Sequence, residues 1–465
     1  MNFIKHIPKT LGFFVFFVFF YIVIFGGLVF KVYQPAPTDL TYDIETLRTP
    51  SEETTYAYLV EARNDALNIR LALIENAEVR IDVSYYSVHP NESRDIFYGA
   101  LLAAADRGVS VRFIIDGFIE GGLYGDQSVV DALASHENIT FKYYEPFQFL
   151  RMYAFNNRLH DKLVIVDGQY GLMGGRNIGD RYFMDLDEDS KMVHDRDILI
   201  FGEVGHSTIM SMHAYYDELF ESDYAHAHLY QERLDQDTTR LHLLDAYYTY
   251  ISALDLTERL EAIHEEAVLV ERASFLRSPL NRMHKEPVVF NTIIDLAMHY
   301  DTLYVQSPYI IIDETMAALF EPLKNHEITV LTNNYIDNPN LWAVSGYMRS
   351  RNHVAQHTNL YEYHGDIGIH SKTMMMGNEI TIIGSSNIDP RSAFLSTESM
   401  MVVYSPDFYD YVDGVIASYL EESLLVESDG SYAPHETIDP REETFSRKVE
   451  RYITTLFTWF FEELL

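Results

Sequence analysis

Two histidines, two lysines and two asparagines recur at one spacing in this 465-residue chain. His160 and Lys162 stand two residues apart, with Gly174 and Asn177 downstream; His370, Lys372, Gly384 and Asn387 repeat the set 210 positions later. The register holds without a gap from His160 to Asn177, and a matched repeat of this kind marks an internal duplication of a working site. One position breaks it, where Asp167 faces Gly377. The residue types suit a phosphodiester, an anion that resists nucleophiles. Ammonium and carboxamide groups can donate to its non-bridging oxygens. One neutral imidazole can attack phosphorus to form a covalent phospho-histidine. The other, protonated, serves the departing alcohol and later deprotonates the incoming one. This chemistry requires no metal and no cofactor. A lone His-x-Lys is usually a surface strand; two matched copies carry far more weight.

Such a set must be held by strands. Alternation along a strand puts His160 and Lys162 on one face, and likewise His370 and Lys372. The runs Leu163 to Val166 and Thr373 to Met376 predict strands covered on both sides. Asp167-Gly168 and Gly377-Asn378 are turn signals, after which Tyr170 to Met173 and Ile380 to Ile383 return as hairpins. Gly-Gly or Gly-Ser then lets the backbone come close before Asn177 or Asn387. Two hairpins brought together would surround one cavity.

These residues resemble the phospholipase D superfamily, whose signature is His-x-Lys, four residues, Asp, six residues, Gly-Ser-x-Asn, present twice. The likeness is greatest to bacterial cardiolipin synthases with a single membrane segment. It extends to Asn157-Arg158, GGRNIGDRYF, HDRDILIFG and SSNIDPRSAFLSTES, and covers the chain from about Ala57 onward. The resemblance implies two similar α/β/α sandwich domains with the active site at their interface. It implies a phosphatidyltransferase that forms cardiolipin, with phosphatidylglycerol as substrate and phosphatidylethanolamine as a further donor. In the family's usual order His160 is the nucleophile and His370 the acid–base, although the residues themselves allow the reverse. Asp195 and Glu398 occupy the places of carboxylates that orient the two imidazoles; each alone reads as a solvated acid. Asp167 belongs to the motif but sits behind the reacting groups, so Gly377 need not abolish activity. Loosening of Lys372, or replacement by Glu379, are the consequences to look for. A hydrolase releasing phosphatidic acid shares every motif, and a non-catalytic lipid-binding scaffold is the alternative from a different class.

The remaining sequence bounds this reading. A length of 465 residues with 47% hydrophobic content predicts more than one core. There is no cysteine, which removes disulfides, thiol nucleophiles and zinc–thiolate sites. The formal charge of −36 disfavours a nucleic-acid partner and sits awkwardly with an anionic lipid, a repulsion that salt would screen. Leu11 to Phe30 carries no charge and predicts a membrane-spanning anchor. The run is too long for a cleavable signal peptide, and no Ala-x-Ala-like site follows. Lys5 and Lys9 precede it, and Asp39, Asp43 and Glu45 follow after Lys31, which places the body outside the cytoplasm.

The expected organisation is an anchor over 1–35, a first domain over 36–221, a connecting segment over 222–266, a second domain over 267–425 and a tail over 426–465. Apolar spacing predicts a helix from Thr54 to Ala77, and strand and helix alternate after it: Val79 to Val88, Glu92 to Arg107, Val109 to Phe118. A helix from Glu203 to Phe220 closes the first domain. The second resumes with a strand at Val268 to Arg272, and includes one from Thr302 to Ile312. In the tail, Val449, Ile453, Leu456, Phe460 and Leu464 share a helix face, fit either to lie on a membrane or to pack on its own domain.

Overall fold

The computed structural model describes residues 7–33, 35–119, 125–186, 192–338 and 340–458. The N-terminal apolar stretch forms α1 (Ile7–Val23), a π-helical turn (Ile24–Leu28) and α2 (Val29–Val32), followed by the short α3 (Ile44–Leu47). Among the described residues no helix is long and apolar enough to cross a membrane. The span expected from Leu11 to Phe30 is thus unconfirmed: its helix is interrupted by the π-turn, and its last residues pack on the protein's own body. Asn156 Nδ2 donates to the Gly26 carbonyl at 2.8 Å, and Gly27 is buried in the π-turn. Phe30 is buried in the core of the second half, its ring near His284. Lys5, cited for orientation, lies outside the described residues.

The first half contains β1 (Thr55–Val60), β2 (Arg80–Tyr85), β3 (Ser110–Asp116), β4 (Ile139–Tyr144), β5 (Lys162–Val166), β6 (Tyr170–Gly174), β7 (Val193–His194), β8 (Asp197–Phe201), β9 (Ala225–Ala227) and β10 (Val268–Val270). Its helices are α4 (Arg63–Glu75), α5 (Glu92–Asp106), α6 (Gln127–Ala134), α7 (Asp180–Phe183), α8 (Ser207–Glu221), α9 (Gln236–Ile251) and α10 (Leu256–Glu266). Among the described residues the sheet runs β10-β1-β8-β6-β5-β2-β3-β4-β9, mixed in direction. The helix predicted over 54–77 is a strand followed by a helix. Thr55-Tyr-Ala-Tyr-Leu-Val alternates buried and half-buried positions and pairs with β8, so cross-strand packing overrides the helical spacing. Helix α8 begins at Ser207, later than predicted, with His206 Nδ1 accepting from the Thr208 N–H. The acidic stretch 222–266 carries α9 and α10, which pack on α5 and α4; Leu243, Tyr247 and Ile263 are buried in the first core.

Chain direction changes sheets at Glu271. Val268–Val270 closes the edge of the first sheet against β1, whereas β11 (Arg272–Arg277) starts the second. The second half adds β12 (Thr302–Gln306), β13 (Glu327–Asn333), β14 (Asn359–Tyr363), β15 (Gly368–Ile369), β16 (Thr373–Met376), β17 (Ile380–Gly384), β18 (Ser399–Tyr404) and β19 (Ser423–Val426). Its helices are α11 (Val288–Ala297), α12 (Glu314–Phe320), α13 (Leu341–His357), α14 (Pro390–Phe394), α15 (Pro406–Glu421) and α16 (Phe445–Thr458). Its sheet order is β11-β18-β17-β16-β12-β13-β14-β19 among the described residues. β12 stops at Gln306, short of the predicted Ile312, because Pro308 leaves the ladder and Ile310 bridges to Ile388 instead.

The halves share a core. Ile165, Met173, Ile198 and Ile200 from the first sheet meet Met375, Ile383, Met401 and Val403 from the second. Met212 and Leu219 of α8 and Val412 and Ile416 of α15 fill the same layer. Burying both faces of β5 and β16 explains why their sequences are apolar runs rather than alternations. The tail helix α16 packs on α13, where Thr458 bonds Ser345 at 2.7 Å, while Tyr452, Ile453 and Leu456 remain exposed. Phe460 and Leu464 lie outside the described residues.

Candidate active site

Each histidine precedes a central strand and is tied by its backbone to the other half. The His160 N–H donates to the Thr397 carbonyl at 3.2 Å, beside an isolated bridge from Leu159 to Thr397. In the other direction, β15 pairs with β7 and the His370 N–H donates to the His194 carbonyl at 2.6 Å. These two crossings put a carboxylate from each half against the imidazole of the other. Glu398 Oε2 lies 3.0 Å from His160 Nδ1, and Asp195 Oδ2 lies 2.6 Å from His370 Nδ1. With Nδ1–H donated to a carboxylate, each Nε2 is left for chemistry.

The carboxylates are buried and ionised. Burial opposes ionisation of Asp195, but its hydrogen bond with His370 and the charges of Lys372 and Arg176 hold it far below the carboxylate range. Glu398 is also lowered: burial opposes ionisation, but His160, Lys162 and the Ser385 hydroxyl, 2.5 Å away, prevail. Burial pulls the imidazoles down, His160 to about 4 and His370 to about 3, with the lysines adding to it and the carboxylates opposing. Both are thus neutral at neutral pH, the state a nucleophile needs. An anionic phosphodiester placed between them favours the imidazolium and raises the pair again.

Lys162 and Lys372 open β5 and precede β16, and both are buried. Lys162 Nζ donates to the His160 carbonyl at 2.5 Å and lies 5.3 Å from the Tyr86 ring. Lys372 Nζ donates to the His370 carbonyl and is 3.2 Å from His370 Nδ1. Burial lowers the two ammonium groups to about 7 and about 8. Asn177 and Asn387 follow the hairpins, their Nδ2 groups directed to the hydroxyls of Tyr182 and Tyr309 at 3.2 and 3.1 Å. Gly175 is required here, because a Cβ would sit 2.1 Å from Asp195 Oδ1. His160, His370, Asn177, Asn387 and Glu398 line one cavity of about 840 Å³ between the halves.

A family description fits this arrangement twice over. The model of "Cardiolipin synthase, PLD-like domain" matches residues 71–203 and 292–419, once in each half. The chain belongs to this phospholipase D-like family. Cardiolipin synthase C of Escherichia coli is 27% identical over 407 residues, covering 76% of this chain and 82% of that protein. An uncharacterised Helicobacter pylori protein is 27% identical over 460 residues, covering 88% and 90%. Among solved structures, phosphatidylserine synthase of Haemophilus influenzae shares the fold, with TM-score 0.62, 14% identity and coverage of 92% and 97%.

The phospholipase D-like motif includes an aspartate, and the structure places that residue apart from the others. Asp167 ends β5 at the side opposite His160, about 16 Å along the strand from Lys162. Its carboxylate accepts from the N–H groups of Glu78, Val79 and Arg80 at 2.7, 2.9 and 2.7 Å, clamping the entry to β2. The corresponding Gly377 has φ of +63°, and a Cβ there would meet the Tyr300 ring at 2.0 Å. Tyr300 covers this turn and donates to Glu379 at 2.8 Å. The second half has thus exchanged a carboxylate clamp for a ring, away from the imidazoles. Sequence reasoning overlooked Tyr86 and Tyr309, which follow β2 and β12; the strand registers make Ser87 the counterpart of Tyr309, so the repeat carried no signal for them.

Proposed function

We propose that this protein is a phosphatidyltransferase that joins phospholipids into cardiolipin through a phospho-histidine. The observation that carries the reading is the pair of imidazoles in one cavity, each bound through Nδ1 to a buried carboxylate of the opposite half. Nε2 of one imidazole attacks the donor phosphorus, forming a P–N bond as the P–O bond to the headgroup breaks. The leaving oxygen takes the proton from Nε2–H of the other imidazole. An acceptor hydroxyl then attacks phosphorus, returns its proton to the second imidazole and breaks the P–N bond. Lys162, Lys372, Asn177 and Asn387 stabilise the equatorial oxygens. With phosphatidylglycerol as donor and acceptor the products are cardiolipin and glycerol; phosphatidylethanolamine is a further donor.

A lipid substrate calls for a membrane surface, and α1 supplies apolar area for one. Phe13, Phe14, Phe16, Phe17 and Phe19 are exposed on it, and Tyr21 meets the exposed Phe149 with ring centroids 5.5 Å apart. In this reading α1 holds the catalytic body on the bilayer, on its extracytoplasmic side. Flotation with liposomes should be lost when residues 1–33 are removed; retention would refute the role of α1. Protease accessibility in intact cells would report the side.

The catalytic reading is tested by mass spectrometry of lipids formed from labelled phosphatidylglycerol, with His160→Ala and His370→Ala as controls. Cardiolipin and glycerol, lost in both variants, are expected. Phosphatidic acid alone would make the protein a hydrolase, and no turnover at low or high salt would make it a binding protein.

A further inference from the structure

Joining two anionic lipids brings two phosphodiesters into one cavity, and the repeated motif residues serve one of them. Arg391, on α14, lines that cavity and sends Nη2 to Asn156 Oδ1 at 3.3 Å. Arg158 lines it too and sends Nη2 to the Ala154 carbonyl at 3.1 Å, so both guanidinium groups converge on the same short segment. They lie close enough to repel, which together with burial holds Arg391 below the usual arginine range. Arg158 is 5% exposed and pairs with Asp116 at 3.0 Å, while its buried Nε has no partner. Asp389, the nearest acid in sequence to Arg391, caps the Ser392 N–H at 2.6 Å and attracts Arg391 electrostatically.

The duplication shows that this feature is additional to the shared site. Arg391 has a repeat counterpart in Arg181, but the counterpart of Arg158 is Gly368. Arg181 and Arg441 also line the cavity, so the pairing of Arg158 with Arg391 adds to cationic groups elsewhere on its wall. Arg391 interacts electrostatically with Tyr86, whose ring meets that of His160 edge-on at 5.0 Å. Arg391 thus adjoins His160, while Tyr182 flanks His370.

We propose that Arg158 and Arg391 form a second phosphodiester subsite, which holds the phosphate of the acceptor phospholipid while its hydroxyl reaches the reacting phosphorus. Guanidinium forks suit such an anion, and a chain of −36 net charge needs a local cationic wall to accept it. The inference rests on the transferase reading above.

The test compares wild type, Arg391→Gln and Arg391→Lys with short-chain phosphatidylglycerol as donor. Two acceptors compete: phosphatidylglycerol itself, giving cardiolipin, and labelled glycerol, giving headgroup exchange. The ratio of cardiolipin to exchange should fall at least tenfold in Arg391→Gln and recover in part in Arg391→Lys. A merely structural role would lower both products together, and an unchanged ratio overturns the proposal. Calorimetric titration of short-chain phosphatidylglycerol into a His160→Ala, His370→Ala chain is independent of turnover. Two sites per chain, reduced to one by Arg391→Gln, support the subsite; one site in both overturns it, even if the transferase reading stands. Wild type that binds two lipids but turns over neither would overturn the transferase reading instead.

Discussion

Removing the charge of one orienting carboxylate should disable the site while leaving the fold nearly intact. Asp195→Asn keeps the shape of a side chain that is fully buried and 2.6 Å from His370 Nδ1. It removes the counter-charge to the imidazolium that forms when a proton is taken up, and it offers an N–H₂ group where only an acceptor is wanted. The imidazole then loses its fixed tautomer. In serine proteases the same change costs on the order of 10⁴ in rate, about 5.5 kcal/mol of barrier. A loss of that order is expected here, because the other group near this nitrogen, the Lys372 ammonium at 3.2 Å, cannot accept Nδ1–H. Glu398→Gln should do the same to His160 from the opposite half. The assay is initial-rate turnover of short-chain phosphatidylglycerol by mass spectrometry, with melting temperature measured on the same samples. A loss below tenfold in either variant would refute the reasoning, as would a loss that merely tracked unfolding.

Three further outcomes follow from the same structure. Restoring the motif carboxylate by Gly377→Asp should lower the melting temperature by several degrees, since a Cβ 2.0 Å from the Tyr300 ring costs about 1–3 kcal/mol of overpacking; an unchanged melting temperature would sink this account. Asp167→Ala should cost about 3 kcal/mol in urea unfolding through the loss of three N–H partners, yet reduce turnover less than Lys162→Ala; the opposite ranking would place Asp167 at the chemistry. Burial raises Asp161 to about 6 against Tyr215 and Ser399, so its contribution to stability is full below about 4 and lost as pH rises through about 6. That loss is about 3 kcal/mol by linkage, and Asp161→Asn should therefore gain stability relative to wild type between pH 4 and 8; a flat difference in urea midpoints would show that the carboxyl is not strained.

Much of the site was legible because its signal is local. His160 and Lys162 share a face through strand alternation, and the apolar run after them reports a strand buried on both sides. Turn residues at Asp167-Gly168 and Gly377-Asn378 marked the hairpins, and both turns have positive φ. Other details were set by a distant partner. Thr55–Val60 became a strand because β8 lies beside it. The stretch 222–266 became an outer layer of the first half because α5 and α4 offered apolar surface. The N-terminal apolar run carries a π-helical turn where Asn156 bonds Gly26, and its end enters the second core.

By itself the sequence determined which groups recur: two imidazoles, two ammonium groups and two carboxamides, duplicated in register. Only the tertiary structure decided which carboxylate serves which imidazole. Glu398 is 238 positions from His160 and Asp195 is 175 from His370, so neither pairing has a local trace. The same is true of Arg158 and Arg391, which lie in different halves. The physical reason is the exchange of short backbone pairings between the halves, through Leu159 with Thr397 and β7 with β15, made rigid by a shared apolar core.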